Sequence, residues 1–203
     1  MTSILKADTI QDAAGNNIIN ENANTITIGA SGDTVTIPAG ATLSNLGTAT
    51  GLGITMADQW RITANTSVRS TEFLTANWER VDTTSPGSIG TGVTESSGVF
   101  TFPSTGIYLI IAAIQNETNG ARTYSGGEIH VTTNNSAYSI ASQAVQSTDI
   151  QRFVTSNPSF ILDVTDTSNV KIKLQFISSG LDKTIGNTSE YKTGVSFIRL
   201  GDT

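Results

Sequence analysis

Residues 106–114 read Gly-Ile-Tyr-Leu-Ile-Ile-Ala-Ala-Ile, a short run in which both alternating sets of positions are apolar. Its length and its β-branched and aromatic content predict a strand. Successive side chains of a strand point to opposite faces, so Ile107 to Ile114 offers an apolar surface on each side. In a two-layer sandwich every sheet turns one face to the core and the other to water. A strand apolar on both faces needs a second cover, and another subunit is the simplest one.

The surrounding pattern is also β. From Ala57 onward, strand candidates follow one another: QWRIT, the stretch from Phe73 to Val81, GVFTF, GEIHVTT, YSIAS, FILDV, VKIKLQFI and GVSFIRL. Polar stretches separate them, among them SPGSIGTG, NETNGARTYSGG and SSGLDKTIGNTSE, and these predict turns. No amphipathic helix interrupts the series, and many short strands with turns between them indicate a sandwich or jelly roll. Phe160, Leu162 and Val164 alternate with Ile161 and Asp163. After TDTS, Val170, Ile172, Leu174 and Phe176 alternate with Lys171, Lys173 and Gln175. That pattern predicts a hairpin with one face in the core and lysines on the other.

Residues 1–46 differ. Ile26 and Ile28 alternate with threonines in TITIG, and Val35 and Ile37 do so in TVTIP. SILKADTI is a further strand candidate, and DAAGNN, GASGD and PAGAT are turns. Such strands have one apolar face and too little material for a core. Intertwining with copies of the same chain would bury the isoleucines and hide the strand edges. The expectation is an N-terminal β-stalk over 1–46 that also serves as an attachment segment, with Ile26, Ile28, Val35 and Ile37 as its apolar residues. A Gly-rich linker or collar follows over 47–56 and then a knob over 57–203, with Leu43, Leu46 and Leu52 as an apolar plug at the junction of stalk and knob.

Composition narrows the class. Charged residues are 14% of the chain, too few for a typical disordered protein, and the Thr, Ser, Asn and Gly content suits strands with polar outer faces. The net charge of −6, with 11 Lys and Arg spread along the chain, argues against a nucleic-acid partner. There are no cysteines, so stability comes from packing or assembly. Residues 1–30 hold no secretory apolar stretch, and no run reaches membrane-span length. The expectation is synthesis in a cytoplasm, without membrane insertion.

The run Phe100-Thr-Phe102-Pro103-Ser-Thr-Gly106-Ile-Tyr108 resembles the signature of the C1q/TNF-like jelly roll, a Phe, five residues, Gly, any residue, then Tyr. The segment VTDTSNVKIKL resembles that family's strand-turn-strand with an acidic turn, and TGVSFIRL its last strand. The pattern departs at Val93, Ile110 and Ala112, where the family carries aromatics or Leu. The resemblance covers roughly residues 57–203. It implies a ten-strand jelly roll that assembles as a tight homotrimer, with the doubly apolar strand near the threefold axis. Tyr108, Ile110, Phe197 and Ile198 are the residues expected at that interface. The opening ILKADTIQDAAGNNIINENANTITIG resembles the N-terminal segment of phage fibre-like proteins. There is no Gly-X-Y repeat of a collagen stalk.

Residues with chemistry to offer are few. His130 is the only histidine and has no Cys or second His to join it, so it reads as a surface or interface residue. Trp60 and Trp78 read as core or interface residues. Tyr124, Tyr138 and Tyr191 lie in or near loops and read as surface contacts. Asp163 and Asp166 read as turn residues. Loops 182–190 and 133–136 have oxygens that suit calcium, but no loop has EF-hand spacing. No catalytic residue, cofactor or metal is expected. The expected function is a non-enzymatic virion structural protein, a trimeric surface fibre or knob for host adhesion. The alternatives are capsid decoration and a small polysaccharide-binding lectin or hydrolase. Expected partners are further copies of itself, other virion proteins through the N-terminal segment, and a host surface glycan or protein.

Overall fold

A computed structural model describes residues 9–11, 13–15, 17–22, 25–29, 31–42, 53–83 and 86–203. Backbone contacts divide the chain into two compact units, Met1–Thr50 and Gly51–Thr203. The described residues are all β or irregular, with no helix.

In the first unit, β1 (Thr9–Gln11), β2 (Asn17–Asn22) and β3 (Thr25–Ile28) form an antiparallel three-stranded sheet. Its register aligns Ile10 with Ile19 and Ile19 with Ile28, so one isoleucine from each strand stands in a single row. Ile10, Ile26 and Ile28 are exposed. β3 is the predicted TITIG strand, whereas β2 comes from the polar stretch NIINEN, which alternation does not mark. TVTIP is corrected: residues 33–38 form no strand, and Val35 and Ile37 are exposed. Pro38 lacks a ladder donor and sits at the end of that segment. Most of SILKADTI and the proposed plug of Leu43, Leu46 and Leu52 lie outside the described residues.

The described residues of the second unit form twelve strands. They are β4 (Ala57–Ile62), β5 (Arg69–Phe73), β6 (Trp78–Arg80), β7 (Thr94–Ser96), β8 (Val99–Thr101), β9 (Gly106–Glu117), β10 (Arg122–Thr132), β11 (Ser139–Thr148), β12 (Phe153–Ser156), β13 (Ser159–Val164), β14 (Lys171–Thr184) and β15 (Gly194–Gly201). One layer runs β13–β9–β15–β4–β6. The facing layer runs β11–β10–β14–β5, with β8 also beside β14 and β7 beside β8. The layers meet where Lys183 and Thr184 of β14 pair with Glu117 and Asn116 of β9.

The core fills the space between the layers. Phe100, Tyr108, Ile110, Ala112, Ile129, Ile172, Leu174, Phe176, Val195 and Phe197 have no exposed surface. Each large side chain among them contributes about 1.5–3 kcal/mol by leaving water. Phe100 is the hub: Trp78 meets it edge-on at 4.9 Å, Trp60 at 6.0 Å, and Phe197 lies at 5.3 Å.

Three expectations change here. Residues 160–176 alternate as predicted, and Leu162, Val164, Ile172 and Leu174 are all buried. β13 and β14 are nevertheless not hairpin partners: β13 pairs with β9, and β14 with β10 and β5. The acidic turn carries the chain from one layer to the other, so both segments present apolar side chains to the same core. The polar stretches NETNGARTYSGG and SSGLDKTIGNTSE are largely strand, because β9, β10 and β14 run through them. The stretch from Phe73 to Val81 is two strands, broken at Leu74–Asn77, where Asn77 has φ of 63°.

Candidate functional site

The parity of β9 decides which of its side chains face out of the sandwich. Tyr108, Ile110, Ala112 and Ile114 are fully buried on the core side. Ile107, Leu109, Ile111 and Ala113 therefore point outward, and Ile111 retains 39% of its surface. Two neighbouring strands extend this patch. Ile161 of β13 and Ile198 of β15 both stand in register with Leu109, and Ala57 stands in register with Ile198. Ile161 is 60% exposed. An apolar row thus crosses four strands on the outward face, Ile161–Leu109–Ile198–Ala57. The next row reads Ser159–Ile111–Ser196–Gln59, with Gln59 Nε2 donating to Ser196 Oγ at 2.9 Å.

The third row becomes polar. Ala113 and Gly194 align with Arg61, which is buried. Arg61 donates to Glu79 at 2.7 Å, to Asp82 at 2.7 Å and to Thr83 at 2.7 Å. Gly194 leaves room for the ring of Tyr191, because a Cβ there would stand 2.4 Å from the ring. Burial pushes the Tyr191 hydroxyl up to about 12, and a hydrogen bond with Ser196 partly offsets this. The face is thus apolar across its middle and closed at one end by a fixed ion-pair group and a half-buried tyrosine.

This corrects the expected interface residues. Tyr108, Ile110 and Phe197 lie wholly inside the chain's own core and have no surface to give another copy. Of the four, Ile198 alone lies on the outward face, half-buried. The signal that finds the others is the position of Tyr108. Once that ring is in the core, Leu109 and Ile111 must face out. Ile26, Ile28, Val35 and Ile37 are exposed in the first unit.

The other singled-out residues are placed as follows. His130, expected as a surface or interface residue, is buried in the single chain. Its Nε2 lies 2.7 Å from Glu128 Oε2, and its ring meets Phe73 edge-on at 5.0 Å. Trp60 and Trp78 pack against the core, and their ring N–H groups donate to Asp58 and to the Leu74 carbonyl. Tyr124 is exposed, while Tyr138 carries Lys173 Nζ over its ring at 4.3 Å and has its hydroxyl pushed up by burial. Tyr191 lies in the loop between β14 and β15 and is half-buried there. Asp166 shapes its turn, accepting from Ser168 N and Asn169 Nδ2 at 2.7 Å each, whereas Asp163 is an exposed strand residue.

The oxygens of the two calcium-suited loops serve the chain itself. Asn134 Oδ1 accepts from Ser136 and Ala137, Asn187 Oδ1 accepts from Ser189 and Glu190, and buried Asp182 accepts from Arg122, Asn119 and Ser178. Among the described residues no group of three His, Asp or Glu side chains is placed to hold a metal ion. Among them too, no helix is long and apolar enough to cross a membrane.

No protein-family model matches the chain, and no curated protein matches it. Solved structures do. Eiger TNF from S. frugiperda is similar with a TM-score of 0.55 and 16% identity, covering 74% of this chain and 95% of its own. Murine APRIL is similar with a TM-score of 0.53 and 12% identity, covering 71% of this chain and 98% of its own. The chain's fold is a TNF-like all-β jelly roll.

Proposed function

We propose that this chain is a non-enzymatic structural protein of a phage-like particle surface, and that its knob works as a homotrimer in host adhesion. The observation that carries the reading is the apolar row Ile161–Leu109–Ile198–Ala57 on the outward face of one layer. A face of this kind, with two of its isoleucines exposed in the single chain, calls for a subunit against it. Three copies related by one axis close such a face without leaving a free edge. The jelly roll's resemblance to a trimer-forming family agrees with that number.

The first unit supports attachment and assembly. Its isoleucine row has only a three-stranded ribbon behind it, too little to bury it within one chain. Pairing with the same row of other copies would cover it. The phage-like character of the N-terminal sequence supplies the particle, and the acidic, Thr- and Asn-rich surface suits a soluble outward knob.

The test is antibody labelling of intact particles viewed by electron microscopy. Label at the tail or its tip is the expected result. Label spread over the head would overturn adhesion in favour of capsid decoration, and unlabelled particles would overturn a virion role altogether.

A further inference from the structure

The layer opposite the apolar row carries a groove of about 310 Å³, lined by Thr71, Tyr124, Glu128, Gln143, Val145 and Ile177. It lies on the outward side of β11–β10–β14–β5, so a trimer joined through the other layer leaves it open. The volume falls at the small end of the range for ligand sites.

The groove is built by a missing side chain. Gly126 of β10 pairs with Val145 on one side and with Ile177 on the other, and Ile177 pairs with Thr71. A Cβ on Gly126 would stand 2.1 Å from the Ala144 carbonyl oxygen, so the position stays empty. Two residues before the gap is Tyr124, which is 42% exposed, and two residues after it is Glu128, which is 4% exposed. The strand rise sets these two Cα atoms about 13 Å apart. A ring wall, an apolar floor and a carboxylate thus stand in line along one strand.

The carboxylate is held in place. Glu128 Oε1 accepts from Gln143 Nε2 at 2.6 Å, and Oε2 lies 2.7 Å from His130 Nε2. Each oxygen keeps a lone pair, and the Gln143 amide keeps a second N–H. Paired acceptors and a donor beside an aromatic ring suit a ligand with adjacent hydroxyls on one face and C–H groups on the other. The fixed negative charge disfavours an acidic ligand.

We propose that this groove binds a neutral hexose unit of a surface glycan, with Glu128 and Gln143 taking adjacent ring hydroxyls and Tyr124 packing on the C–H face. The assignment rests on the adhesion reading and names its partner class. One shallow site of this size binds weakly, and three on one trimer gain by multivalency.

Saturation-transfer difference NMR on the full chain tests it, with free glucose, galactose, mannose and N-acetylglucosamine as probes and sialic acid as the acidic control. At least one neutral sugar receives saturation and sialic acid does not. Tyr124→Ala and Gln143→Ala, both at exposed positions, each weaken that sugar at least tenfold while the mass and melting temperature stay those of the wild type. A silent neutral panel, a response unchanged in both variants, or an equal response from sialic acid overturns the assignment. The wild-type mass, measured on the same sample, separates the two claims. A trimer with no sugar response sinks only the groove, whereas a monomer that binds hexose through Tyr124 keeps the groove and sinks the trimer.

Discussion

Ile110 and Ile111 are neighbours on β9, yet the first has no exposed surface and the second retains 39%. One belongs to the jelly roll's core and the other to the face proposed for assembly. The two positions separate folding from association, which makes their substitutions the most informative pair in the chain.

Ile110→Ala removes a fully buried side chain and leaves a cavity between the layers. The expected loss is about 2–5 kcal/mol of unfolding free energy, measured by urea denaturation. A loss below about 0.5 kcal/mol would mean that the core is not packed as described.

Gly106 has φ of 142°, and a Cβ there would lie 2.5 Å from Arg199 Nε and 2.6 Å from the Gly201 carbonyl oxygen. This explains physically why the Phe-x5-Gly-x-Tyr pattern needs its glycine. Gly106→Ala combines backbone strain with overpacking, and about 1–3 kcal/mol of destabilisation is expected in thermal or urea unfolding. A neutral effect would show that the last strand does not pass over this position.

Much of this fold was legible in the alternation of the sequence, and the errors have physical causes. Apolar residues at every second position report a buried face but not the strand across the ladder, so β13 and β14 looked like a hairpin although they belong to opposite layers. Polar strands such as Arg122–Ser125 and Ser179–Thr184 were invisible because their ladders satisfy backbone groups without burying large side chains. The candidate face was legible as a doubly apolar strand, and only its parity was not. Tyr108 fixes that parity, but the burial of its ring depends on Phe102, 4.7 Å away on another segment. The groove around Gly126 depends on register across four strands, which no local pattern reports.

Asp182 is buried, with its carboxylate 2.9 Å from Arg122 Nε and 2.5 Å from Ser178 Oγ. Asp182→Ala leaves the Arg122 guanidinium without its partner beneath the 118–122 loop. The expected cost is about 3–5 kcal/mol in urea unfolding, typical of breaking a buried pair from one side. A loss below about 1 kcal/mol, together with an unchanged proteolysis pattern at the loop, would argue against the pair as described.

Tyr191 gives a pH signature. Its hydroxyl ionises near an ordinary 10.0 in the unfolded chain and is pushed up to about 12 in the fold. Between those values the unfolded state binds fewer protons than the folded one, so stability falls as pH rises. The contribution is fully present below pH 10.0 and is lost as pH approaches about 12. In Tyr191→Phe the alkaline decline becomes shallower, as read from melting temperature against pH. An identical decline in the variant would place that ring in solvent.

The mass of the full chain in dilute solution, by sedimentation or light scattering, tests the central claim most directly. The account predicts three times the chain mass of 21.3 kDa for the wild type. For Ile111→Asp, which puts a charge on the outward face in the row beside the apolar one while sparing the core, it predicts a folded particle of single-chain mass. A wild type that runs as a monomer at micromolar concentration, or an Ile111→Asp variant that keeps the trimer mass, would contradict it.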